Sequence, residues 1–79
     1  MIIKILGPGC ANCANLEKAT REAVAELGLD ASIEKVTNYA EIMSYGILRT
    51  PGLVVDDAVV LAGRVPTTQT VKELLAAAR

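Results

Sequence analysis

Seventy-nine residues and 8.3 kDa leave room for one domain, spanning 1–79, and no second core. Apolar residues make up 52% and charged residues 22%, with a net charge of −1, so a packed core is affordable and the basic excess of a nucleic-acid module is missing. Tyr39 and Tyr45 are the only aromatic residues and histidine is absent, which excludes a base-stacking platform, Ser-His or Cys-His catalysis, and imidazole metal sites.

Residues 2–6 (Ile-Ile-Lys-Ile-Leu) read as a buried strand, ended by Gly7-Pro8-Gly9. Residues 11–27 read as a helix: Leu16, Ala19, Ala23 and Leu27, flanked by Thr20 and Val24, form an apolar stripe. Glu17 with Arg21 and Lys18 with Glu22 are expected as exposed pairs one turn apart, and Gly28 as the stop. Residues 31–36 suggest a second strand, with Ile33 inward and Glu34 outward. Asn38 opens a second helix, with Glu41 at the capping-box position and an end near Gly46. Leu53–Val55 and 59–62 read as two strands of a hairpin around Asp56-Asp57. Pro66 and residues 67–70 start a last helix that runs to the C-terminus. The order is βαβαββα. A right-handed crossover makes the first two strands parallel, and the hairpin adds antiparallel ones. The fold class is therefore α/β, a mixed four-stranded sheet flanked by three helices.

The opening apolar run is too short for a signal peptide, and the longest others, 58–62 and 74–78, fall far below the roughly 18 residues of a membrane span. A cytoplasmic protein without membrane or nucleic-acid partners is expected. In that reducing compartment a close cysteine pair is catalytic or metal-binding more often than a structural staple.

Such a pair is present: Cys10-Ala11-Asn12-Cys13, at a strand-to-helix junction. Two cysteines placed at random in this chain take that spacing in only about 2–3% of arrangements, so coincidence is a poor explanation. With Cys10 at the helix start and Cys13 one turn on, the sulfurs can meet in a small ring. A free cysteine with a pKa near ~8.5 is about 3% thiolate at pH 7. Unpaired amides and the positive end of the helix dipole favour an anion at Cys10, and a pKa of ~7 would make about half of it thiolate. Cys10 is thus expected to attack a substrate disulfide, and Cys13 to resolve the mixed disulfide. Two thiolates at this spacing also suit Cu(I), so a soft-metal or thiol-sensing module is the alternative. Against it stand Pro8 where heavy-metal-associated domains usually carry Met, and a helix where they end in a strand.

The segments Ile3–Cys13, Thr50-Pro51-Gly52-Leu53-Val54-Val55 and Ala62-Gly63-Arg64-Val65-Pro66 together resemble the thioredoxin superfamily, in particular its short thioredoxin/glutaredoxin-like redox-active disulfide proteins. The resemblance covers nearly the whole chain. It implies a thioredoxin-like fold and thiol-disulfide oxidoreductase activity without a cofactor. It also implies disulfide-containing protein substrates, an upstream disulfide reductase as electron donor, and a monomer. Pro51 would be a cis-proline beside the disulfide, Thr50 would offer backbone groups to an extended substrate, and Gly63 would let that substrate approach closely. The chain departs from thioredoxins at Gly9, Ala11 and Asn12, where they carry Trp and Gly-Pro. It also departs at Lys4, where they carry a buried acid. A glutaredoxin Pro-Tyr is absent as well.

The remaining candidates have plain readings. Met43 reads as core filler, Tyr39 and Tyr45 as partly buried helix residues, and Asp56-Asp57 as a solvated turn. Tyr45, Ile47 and Leu48 could line an apolar rim beside the cysteines. Arg49 and Arg64 flank the substrate-side segments, where they would meet an acidic partner or serve as ordinary surface charge.

Overall fold

A computed structural model of the chain describes residues 1–9, 11–47 and 49–78. The elements are β1 (Ile2–Leu6), α1 (Ala11–Leu27), β2 (Ser32–Val36), α2 (Tyr39–Ser44), β3 (Gly52–Val55), β4 (Ala58–Ala62) and α3 (Thr68–Ala78). The sheet order is β2-β1-β3-β4. β1 runs parallel to β2 and antiparallel to β3, and β3 runs antiparallel to β4. This is the mixed α/β architecture of a thioredoxin-like fold, with βαβαββα order.

Strand alternation sorts the core into two layers. Ile3 and Ile5 of β1, with Leu53 and Val55 of β3, meet the stripe of α1 (Leu16, Ala19, Ala23) and Val71 and Leu75 of α3. Leu6, Val36 and Val54 point to the other face, where Ile42 of α2 and Ile47 cover them. β3 is buried along its whole length because it lies between two strands and between both layers. α1 therefore belongs to a different face from α2, and its first turn lies over the end of β1.

Local chemistry sets the ends. Gly28 has a φ of +64° after α1. The Asn38 side chain accepts a hydrogen bond from Glu41 N (3.1 Å), which caps α2. Thr67 Oγ1 does the same for Thr70 N (3.2 Å) at the start of α3. Several expectations on the surface need correction. Glu22 accepts from Thr68 Oγ1 of α3 (2.9 Å) rather than pairing with Lys18. Met43 is 55% and Tyr39 63% exposed, because α2 is only six residues long and turns Ile42 alone fully into the core.

The hairpin tip is tied down as well as turned. Asp56 and Asp57 both have positive φ, 48° and 68°, the geometry of a tight two-residue turn that suits right-twisted strands. Asp56 Oδ1 accepts from Ile2 N (2.8 Å), fastening the turn to the start of β1. Asp57 has only a 4.0 Å approach to Lys4 Nζ and an 86% exposed side chain, so its charge contributes little. Asp57→Gly is expected to stabilise the fold by about 0.5–1 kcal/mol, as left-handed backbone costs glycine less. Chemical denaturation should show a higher midpoint with an unchanged slope.

Candidate active site

Cys13 is the third residue of α1, where the helix crosses the end of β1. It is 6% exposed, and its sulfur is engaged in a disulfide. Cys10 lies outside the described residues. The reason Cys13 can sit so close to the strand is Gly7. This residue anchors the end of β1 to β2 through Gly7 N–H to Val36 O (2.9 Å). A Cβ built on Gly7 would fall on Cys13 Sγ, and it would lie 4.0 Å from Pro51 Cα. A residue without a side chain is what lets strand, sulfur and proline converge.

Pro51 arrives from the other side. The Thr50–Pro51 peptide bond is cis, and Pro51 is buried at the entry to β3. Its carbonyl accepts from Gly63 N (2.8 Å), which joins the two segments flanking the hairpin into one strap. Thr50 is half-buried beside it. Gly63 has a φ of +79°, a backbone conformation that L side chains rarely adopt. Its open side is not bare: Arg49 Cβ and Cδ lie 3.0 and 3.2 Å from the place a Gly63 Cβ would take. The structure thus gathers Cys13, Pro51, Thr50 and Gly63 at one end of the sheet.

Ile47 does not form a rim. It is 6% exposed and fills the α2-side core, with its Cδ1 2.8 Å from where a Gly52 Cβ would be. Leu48 lies outside the described residues. Tyr45 packs at the edge of the same core and accepts a hydrogen bond from Lys4 Nζ (2.8 Å). That bond is the main cause of a Lys4 pKa raised above the ordinary lysine value, with Asp57 and Glu34 adding to it. Lys4 alternates with Ile5 along β1, so its side chain belongs to the α2 face and has Tyr45 and Asp57 as partners.

Sequence reasoning missed a charged pair, Glu17 and Lys35, that shares a pocket with Cys13. A pocket of about 120 Å³ beside Cys13 is lined by Gly7, Gly9, Ala14, Glu17, Lys35 and Thr37 as well as Ile5. Glu17 is not simply an exposed partner of Arg21. Its side chain is 18% exposed, with Arg21 Nη2 at 2.9 Å and Lys35 Nζ of β2 at 3.1 Å. The available signal was the four-residue spacing of Cys13 and Glu17, which puts both on one face of a helix. Lys35 needs the parallel pairing of β1 with β2 to reach it.

The hydrogen bond from Arg21, then that from Lys35, lowers the Glu17 pKa below its ordinary 4.5. A folded-state pKa below the unfolded one means the ionised carboxylate favours the fold above about pH 4.5. That contribution is lost as pH falls through the folded value. Glu17→Gln should therefore be less stable than the native protein at pH 6–7, with the gap closing in acid. Thermal melts across pH 3–7 check this. Gly7→Ala should cost about 1–3 kcal/mol through overpacking against Cys13, read from denaturant unfolding of the oxidised protein.

A sequence model of the Thioredoxin domain family matches residues 1–76 of this chain. The chain is similar to a thioredoxin of Methanothermobacter thermautotrophicus, 47% identical over 75 residues that cover 95% of this chain and 97% of the relative. It is also similar to a thioredoxin of Methanocaldococcus jannaschii, 40% identical over 75 residues, covering 95% of this chain and 86% of that protein.

Proposed function

Because the chain belongs to the thioredoxin family, we propose that it is a thiol-disulfide oxidoreductase in which Cys10 and Cys13 form the redox couple that reduces protein disulfides. The observation that carries this reading is an oxidised Cys13 sulfur, set in the first turn of α1 and occupying the space a side chain on Gly7 would need, a position 4.0 Å from Pro51 Cα.

The steps follow from thiol chemistry. The Cys10 thiolate attacks one sulfur of a substrate disulfide, forming a mixed disulfide and expelling one substrate thiolate. Cys13 loses its proton and attacks the Cys10 sulfur, which expels the second substrate thiolate and closes the Cys10–Cys13 disulfide. Two electrons have then passed from the pair to the substrate. An upstream disulfide reductase returns them. The order of attack rests on position. Cys10 immediately precedes α1, where unpaired amides stabilise an anion, whereas Cys13 is buried inside the first turn. Thr50 and Pro51 receive the extended substrate, and Gly63 lies on the same strap through its bond to Pro51 O. The enzyme works in the cytoplasm, as its thiol chemistry suits a reducing compartment. Among the described residues no helix is long and apolar enough to cross a membrane.

Titration against redox buffers should show one two-electron transition, and the reduced protein should reduce insulin disulfides. Cys10→Ser is expected to abolish both. Cys13→Ser should still attack substrate but accumulate the mixed disulfide, visible by mass spectrometry as a covalent adduct. Tight stoichiometric Cu(I) binding with no disulfide turnover would overturn the proposal in favour of a metal-binding module.

A further inference from the structure

We infer that Arg49 and Arg64 form a cationic rim to the substrate strap, and that the preferred substrates carry acidic residues beside their disulfide. This inference rests on the oxidoreductase reading above and adds the substrate class to it.

The geometry begins at the sulfur. A Cβ on Gly7 would fall on Cys13 Sγ and lie 4.0 Å from Pro51 Cα, and Pro51 O is bonded to Gly63 N at 2.8 Å. The aliphatic stem of Arg49 lies across Gly63, with Cβ, Cδ and Cγ 3.0, 3.2 and 3.7 Å from the place of its missing Cβ. A substrate segment approaching Gly63 meets this side chain before it meets bare backbone. The stem is packed while the residue as a whole stays exposed, so part of the entropy cost of holding the guanidinium is already met by the fold. Arg64 follows Gly63 directly and is exposed too.

The charge at this strap is unanswered within the chain. Among the described residues Lys4, Arg21, Lys35 and Lys72 each have a carboxylate within 4.0 Å. Arg49 and Arg64 have none, and neither makes a side-chain hydrogen bond to another described residue. Lys18 also has no carboxylate partner among the described residues; it lines a groove of α1 with Val65 and Pro66, which follow Arg64 directly. In a chain of net charge −1, two unpaired guanidiniums beside the segment that flanks the disulfide are a local reversal of sign. Charges at the rim of a binding surface act chiefly on encounter rate and on choice of partner, and they fade with salt.

The test compares two disulfide-bonded peptides that differ only in having Asp or Lys on both sides of their cysteines. Each is reduced by the pre-reduced native protein, with uncharged hydroxyethyl disulfide as a third substrate. At low ionic strength kcat/KM for the Asp peptide should exceed that for the Lys peptide about fivefold. The ratio should fall toward one in 1 M salt, where the Debye length is about 3 Å. In the doubly substituted R49E/R64E protein it should invert, and because it is taken within one protein it is independent of any change in basal rate. A native ratio below about two at low salt overturns the inference, as does the same ratio in R49E/R64E as in the native protein. If hydroxyethyl disulfide is not reduced either, it is the oxidoreductase reading itself that fails.

Discussion

The close approach of Cys13 to Gly7, with Pro51 on the other flank of the space a Gly7 side chain would need, organises the rest of the molecule. Three elements reach it from different directions: the end of β1, the first turn of α1 and the entry to β3. Each is held by its own packing. β1 and β3 are neighbours in the sheet, and α1 is pinned to their shared face by Leu16, Ala19 and Ala23. A side chain at position 7 would occupy the sulfur's place, so the absence of a Cβ there is a steric condition for the site.

Much of this architecture was legible in the chain. The aliphatic run of 2–6 with its Gly-Pro-Gly end, the apolar stripe of 11–27 and the Asn38–Glu41 cap each state a local rule, and each element formed where that rule put it. Local rules stop at contacts that depend on neighbours far along the chain. Glu17 looked complete with Arg21 one turn away, yet Lys35 reaches it only because β1 and β2 run parallel. Met43 and Ile47 are both apolar, but the short α2 leaves the first in solvent while Ile47 seals the layer beneath. Whether an apolar residue is core was therefore decided by the length of the covering helix and not by the residue.

Lys4 shows how the fold accommodates a charge in a central strand. Its neighbours across the sheet are Glu34 and Val54, and its ammonium ends at the Tyr45 hydroxyl, 5.6 Å from the ring centroid. The stem crosses the α2-side layer and the head emerges at its margin, a quarter exposed. Lys4 and Cys13 are thus assigned to opposite faces of the sheet. The site's own charged pair, Glu17 and Lys35, belongs to the α1 side.

The pairing of β3 with β4 slips between Leu53 and Val54: Leu53 faces Leu61, Val54 faces Val59, and Val60 is left over. This small irregularity falls on an outermost strand composed wholly of Ala, Val and Leu, the kind of segment that invites a foreign strand to add on. An extra residue bends the ladder and spoils the straight row of donors and acceptors that such an addition requires. The opposite margin, β2, has a regular ladder but carries a charge on each face, Glu34 on the α2 side and Lys35 on the α1 side. The two open borders of the sheet are protected by different means, one by broken geometry and one by charge, and losing either would expose the protein to runaway strand-to-strand assembly.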